Sequence, residues 1–211
     1  MEEKNINKPQ NATLQQGIGG YPLSDAYELA FHILDTLIPY CEKIHIAGSV
    51  RREKKEVGDI EIVCQPKITV LKDMFGWDEG IIRNLDFINA IENLGEIIKG
   101  KIDGKYIQIR LPEGINLDLF MPNVNDYYRQ LAIRTGSADY SRNIIARGWR
   151  KMGFVGTKDG LRKKEDCKNT GSSEKPIWKC INPNPYLPPV WESEEHFFQW
   201  IGIKYLPPNE R

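Results

Sequence analysis

Apolar positions recur every three or four residues between Leu29 and Ile38, with Leu29, Ile33 and Leu37 in one row and Ala30, Leu34 and Ile38 in the next. Side chains at that spacing share one face of a helix, and Ser24 followed by Asp25 and Glu28 supplies a start signal ahead of it. Pro39 lacks the amide that a continuing helix needs and should end or kink it. The period then drops to two. "KIHIAGS" predicts a short strand running into a glycine turn, and "VGDIEIVCQP" a strand with Ile60 and Ile62 on one face and Asp59 and Glu61 on the other. Ile81, Ile82, Leu85, Ile88, Ile91 and Leu94 predict a second helix that stops at Gly95. "KYIQIRL" and "INLDLFM" flank the turn "PEG" as a hairpin, whose second strand points Leu117 and Leu119 one way and Asn116, Asp118 and Phe120 the other. "RTGSADYSRNIIARGWRKMGF" reads as a turn, a cap near Asp139 and a helix ending at Gly153. Loops are expected over 169 to 189, and a short final helix in "SEEHFFQWIGI". Residues 1 to 20 are polar, end in "GIGG" and read as a flexible leader. The pattern gives an α+β chain with a mixed sheet.

Length and charge narrow this picture. A chain of 211 residues fits one domain or two small subdomains and can bury a core. Its 29 basic and 29 acidic residues cancel, so a nucleic-acid partner needs a local basic patch. Such a patch stands between Arg142 and Lys164, where Arg142, Arg147, Arg150, Lys151, Lys158, Arg162, Lys163 and Lys164 face one acid, Asp159. No apolar run approaches the roughly 20 residues of a bilayer span, and "MEEKNINKPQ" has no signal-peptide core. A cytoplasmic location with no membrane partner is the expectation, with reduced thiols. Cys41, Cys64, Cys167 and Cys180 lack CxxC spacing, and Cys167 and Cys180 read as loop and hairpin residues. His32, His45 and His196 are too scattered for a zinc site.

The candidate chemistry lies in "GSVRREKKEVGDIEIV", residues 48 to 63. Asp59 and Glu61 on one strand face repel each other, and Asp118 interrupts another apolar strand that could be their neighbour. Packed together, three carboxylates raise each other's pKa unless a divalent cation compensates, and an all-oxygen set suits Mg²⁺. Gly48 and Ser49 precede an expected helix start, where backbone amides attract phosphate oxygens. Arg51 and Arg52 add charge-assisted donors, an arrangement suited to a triphosphate.

Taken in order, these motifs resemble the DNA polymerase X family of nucleotidyltransferases. "GSVRR" with "GDIEIV" is similar to the family signature, "INLDLF" to the strand with its third catalytic aspartate, "RTGSADYSRNI" to its thumb motif and "SEEHFFQWIGIKYLPPNER" to its C-terminal end. The resemblance spans roughly residues 21 to 211, and several ordered motifs are more specific than any single one. It implies a nucleotidyltransferase palm over 21–130 and a small α+β thumb over 131–211. It further implies catalytic and metal-binding roles for Asp59, Glu61 and Asp118 with two Mg²⁺ ions, Mn²⁺ being the alternative. Gly48, Ser49, Arg52 and Gly58 would hold the triphosphate, and Thr135, Gly136, Tyr140 and Ser141 would line the sugar and base pocket. Arg142, Arg147, Arg150 and Lys151 would contact DNA. The implied reaction is nucleotidyl transfer from a nucleoside triphosphate to the 3′-hydroxyl of a primer-template or gapped DNA, as in DNA repair, by a monomer.

The chain departs from the family pattern in four places. Glu61 replaces the usual aspartate, Val57 a common hydroxyl residue, and Ile133-Arg134 an aromatic pair before Thr-Gly-Ser. Only about 20 residues precede the palm, so no deoxyribose-phosphate lyase activity is expected. Two other readings stay open: a nucleotidyltransferase whose acceptor is an RNA end, a protein or a small molecule, and a non-catalytic nucleic-acid-binding module.

Overall fold

The computed structural model describes residues 20–211, so the expectation for residues 1–19 lies outside the described residues. The fold is mixed α+β. Its centre is a five-stranded sheet built from β2 (Cys41–Ile46), β4 (Ile60–Pro66), β7 (Glu96–Gly100), β8 (Tyr106–Arg110) and β9 (Asn116–Phe120), in the order β2-β4-β9-β8-β7. Only β4 and β9 run parallel; the other pairs are antiparallel, so the sheet is mixed. Two short strands, β1 (Tyr21–Pro22) and β3 (Glu56–Val57), pair at its margin.

Helix α1 (Leu23–Leu37) covers one face of this sheet. Ala26, Ala30, Ile33 and Leu37 form its buried row, and the chain passes through a 3-10 turn at Ile38–Tyr40 where Pro39 was expected to stop it. Beside it lies α3 (Leu85–Leu94), which buries Phe87 and Ile91 against Ile60, Ile62, Leu117 and Leu119. Each such side chain contributes roughly 1.5–3 kcal/mol by leaving water. The sheet's apolar alternation is therefore consumed on this side, which turns Asp59, Glu61 and Asp118 to the other.

The second helix is shorter than its apolar row suggests. Asn84 caps it, its side chain accepting from Phe87 N at 3.1 Å, so the helix begins at Leu85. Ile81 and Ile82 belong instead to β6 (Asp78–Arg83), paired with Val70 and Thr69 of β5 (Ile68–Lys72). Strand residues followed by a capped helix imitate one long helical row, because apolar side chains on both elements happen to fall three and four apart.

The opposite sheet face is partly covered by α4 (Tyr127–Thr135). Ala47, Val63, Phe120, Tyr127 and Leu131 form a small buried cluster there. Tyr127 pins the helix by donating its hydroxyl to Val63 O at 3.0 Å. Val63 is two residues beyond Glu61 on the same face, and Phe120 two beyond Asp118, so the acids emerge from beneath the near edge of α4.

Residues beyond α4 build their own core. A π-helical turn at Tyr140–Ile145 leads into α5 (Ala146–Lys151), and Gly153, with φ +80°, ends the segment as the glycine signal predicts. Strands β10 (Phe154–Thr157), β11 (Gly160–Lys163), β12 (Cys167–Asn169) and β13 (Trp178–Cys180) form a sheet ordered β11-β10-β13-β12. The final helix, α6 (Glu194–Trp200), starts with Ser193 accepting from His196 N at 3.1 Å. Trp149, Phe154, Trp191, Phe197 and Phe198 fill the space between.

Candidate functional site

Three carboxylates meet on one face of the central sheet. β4 and β9 place Glu61 directly opposite Asp118 in parallel register, and Asp59 lies just before β4 on the same side. Gly48 makes room for them. Its φ of +63° suits glycine, and a Cβ at this position would fall on the Glu61 carboxylate. Gly48 opens α2 (Gly48–Arg51), a single turn that contains the glycine-serine pair expected to precede it.

The three acids have different surroundings. Asp118 is well held: its Oδ1 accepts from Tyr106 Oη at 3.0 Å and Gln108 Nε2 at 2.7 Å. Gln108 is its cross-strand partner on β8, and Tyr106 stands opposite Phe120. Burial and the charge of Asp118 push the Tyr106 phenol up to about 12, so it stays a donor. Burial raises the Asp59 carboxyl, and Asp118 adds to the rise. Glu61 is pushed up to about 7, first by burial and then by Asp59.

Two guanidiniums offset part of this charge. Arg52 and Arg134 both lower the Glu61 pKa, and Arg134 is packed with its Cζ 3.8 Å from the centre of the Phe120 ring. Burial pulls both arginines below their usual pKa, while Glu61 opposes the fall. The Nε atoms of Arg52 and Arg134 are buried without a hydrogen-bond partner among the described residues. Among the described residues neither arginine comes within 4.0 Å of an acid, so three carboxylates are balanced at a distance by two cations. The donor set fits a divalent cation in chemistry and in shared face. Among the described residues no group of three His, Cys, Asp or Glu side chains is drawn closely enough to hold one as it stands.

The other sequence-predicted residues divide into two groups. Ser49, half-buried, and Gly58, exposed, lie on the approach to the acids. Arg52 is tied down, its Nη1 donating to Thr135 O at 2.7 Å. Thr135 is fully buried and its Oγ1 accepts from Arg51 Nη1 at 2.6 Å, so this residue braces the arginine pair. Ser141 donates to Ile133 O at 2.7 Å across Gly136, and Tyr140 packs into the C-terminal core with its hydroxyl lacking a partner among the described residues. Arg142, Arg147, Arg150 and Lys151 are exposed along the π turn and α5. None of the four forms an ion pair among the described residues.

Arg51 does something its motif does not announce. It donates twice to Glu194 of α6, at 2.9 and 3.3 Å, and Glu194 also accepts from Arg211 at 2.5 Å. This buried clasp joins the end of α2 to α6 and to Arg211. Tyr106, Gln108 and Glu194 were not legible as site residues because each acts across strands or elements far apart in sequence. Only the alternation of "KYIQIRL" puts Tyr106 and Gln108 on the polar face beside Asp118.

A cleft of about 220 Å³ is lined in part by Tyr106, Phe120, Arg134 and Lys158, and not by the three acids themselves. A wider one, about 790 Å³, opens at the far end of β4 beside Gln65 and Pro66, away from the carboxylates. Among the described residues no helix is long and apolar enough to cross a membrane. No protein-family model matches the chain, and no curated protein matches it.

Proposed function

We propose that the chain is a divalent-cation-dependent nucleotidyltransferase that transfers a nucleotide from a nucleoside triphosphate to a DNA 3′-hydroxyl. In this reading residues 21–130 are the palm, residues 131–211 the thumb, and the reaction is short gap filling. The observation that carries it is the facing of Glu61 and Asp118 across β4 and β9, with Asp59 beside them and Glu61 raised to about 7. Asp59 and Glu61, both raised by burial and by a neighbouring carboxylate, stand on one face with Asp118, a setting suited to a cation.

Asp59, Glu61 and Asp118 would hold the ions, whose chemistry when bound is to activate the attacking hydroxyl and stabilise the leaving pyrophosphate. The residues of the chain do the positioning. Tyr106 and Gln108 fix the Asp118 carboxylate, so the acid beside the primer terminus presents its free Oδ2 in a set orientation. Arg52, braced on Thr135 through Nη1, would offer its Nη2 to the triphosphate. Arg134, close over the Phe120 ring, keeps positive charge over the cleft between the sheet and β10. Arg142, Arg147, Arg150 and Lys151 supply phosphate contacts that the neutral total charge does not.

Single-nucleotide incorporation on DNA with a one-nucleotide gap, with Mg²⁺ and then Mn²⁺, tests the reading. Templated extension that disappears in Asp118→Asn supports it. Absence of extension with either metal, in a preparation that still binds nucleotide, overturns it in favour of another acceptor or a binding module.

A further inference from the structure

We infer that Cys167 and Cys180 are a built thiol pair that closes to an intrachain disulfide when the protein meets a small-molecule disulfide oxidant. The two cysteines are thirteen residues apart in sequence and stand directly opposite each other on β12 and β13. Their place in the ladder decides the geometry. Thr170 N donates to Ile177 O at 2.8 Å and Ile181 N to Asp166 O at 2.9 Å, which marks those two pairs as hydrogen-bonded. Antiparallel pairs alternate, so Lys168 with Lys179 is hydrogen-bonded and Cys167 with Cys180 is not. Non-hydrogen-bonded pairs bring Cα atoms to about 4.5 Å, inside the roughly 4.4–6.8 Å that a disulfide spans. Both side chains point to the same side of the ribbon, both thiols are free and both are half-buried. Burial raises the Cys167 thiol, and Cys180 is its next largest influence and a hydrogen-bonding neighbour.

The ribbon has a use for a covalent tie. It joins the rest of its sheet through one residue pair, Thr157 with Trp178. Lys168 faces Lys179 across it, a like-charge pair that weakens the pairing. A two-stranded ribbon with so little support is marginal in water. Linking 167 to 180 would hold the strands in register and fix the exposed turn over 170–177.

The exchange balances. One Cys thiolate attacks the oxidant's S–S bond, forming a mixed disulfide and releasing one thiol. The second Cys thiolate attacks the protein sulfur of that intermediate and releases the other thiol, so two protein thiols are oxidised and one small disulfide is reduced to two thiols. Cys41 and Cys64 provide an internal contrast. Their thiols are also hydrogen-bonding neighbours, but both are buried and they are not cross-strand partners, since Cys41 pairs with Pro66 and Cys64 with Ile44 across a strand irregularity.

The test incubates the full chain with oxidised glutathione and maps the products by mass spectrometry under native conditions. The expected product is about 2 Da lighter, links the Cys167 and Cys180 peptides, and leaves Cys41 and Cys64 to alkylate only after unfolding. Cys180→Ser should stop at a single glutathione adduct on Cys167. Amide exchange over 167–181 should slow on closure and recover with dithiothreitol. Two separate adducts without a link, a link through Cys41 or Cys64, or a link only between chains would overturn the inference.

Discussion

Glu194 and Glu61 are both carboxylates drawn out of water, and the molecule treats them in opposite ways. Glu194 is 4% exposed and receives hydrogen bonds from Arg51 and Arg211, so its charge is matched by donors in contact. Glu61 is surrounded by charge without contact: Asp59 and Asp118 raise its pKa, Arg52 and Arg134 lower it, and burial outweighs them all. The first carboxylate is a finished structural joint between α2, α6 and Arg211. The second has no donor within ion-pair distance among the described residues, and in the proposed reading a cation from solution completes it. A buried charge that is paired reports on stability, whereas one left unpaired on a well-formed sheet reports on a ligand.

The largest expected effects separate the two residues. Glu194→Ala strands Arg51 and Arg211 without their partner and should cost about 3–5 kcal/mol in urea unfolding, as other broken buried pairs do. Asp118→Asn should leave the unfolding midpoint close to wild type and lower single-nucleotide incorporation by on the order of 10²–10⁴-fold. If Asp118→Asn instead unfolds the protein, the contrast between a joint and a site fails.

Acidity gives the comparison a sign. Glu61 has a folded-state pKa of about 7 against 4.5 for the free group. The folded state therefore holds its proton more tightly than the unfolded state. The stability linked to this proton is complete below pH 4.5 and is lost as pH rises through about 7. Glu61→Gln should match wild type at pH 5 and unfold at higher denaturant at pH 8 in metal-free buffer, while losing activity. Arg134→Met removes a cation that lowers the Glu61 pKa, so the carboxyl signal followed by NMR should titrate at still higher pH.

Smaller effects sharpen the site's edges. Gln108→Leu takes one of two hydrogen bonds from Asp118 and should slow incorporation roughly 10–100-fold, the scale of a hydrogen bond to a charged group, with little change in nucleotide KM. Arg147→Ala and Arg150→Ala should each change stability by less than about 0.5 kcal/mol. Each should also flatten the salt dependence of gapped-DNA binding by about one unit of slope per lost phosphate contact.

Much of the sheet was legible from alternation alone. Leu117 and Leu119 are buried where the pattern puts them, and the "PEG" hairpin pairs Ile109 with Leu117. The carboxylates were visible because charge inside an apolar strand is costly and demands a partner. What escaped was everything fixed by tertiary pairing. Ile81 and Ile82 continue a helical row in sequence but sit in a ribbon, because the Asn84 cap sets where the helix begins. Arg51 looks like a phosphate ligand until Glu194, 143 residues away, is brought against it. Cys167 and Cys180 show no motif, since their pairing depends on the register of two strands.

The most direct test of the central claim is thermal unfolding with and without Mg²⁺ at pH 5 and pH 8, in the wild type and in Asp59→Asn/Asp118→Asn. If the acid cluster is completed by a cation, Mg²⁺ should raise the wild-type midpoint clearly at pH 8, much less at pH 5 where Glu61 is protonated, and not at all in the double variant. A midpoint indifferent to millimolar Mg²⁺ and Mn²⁺ at both pH values, or one raised equally in the double variant, would contradict the account.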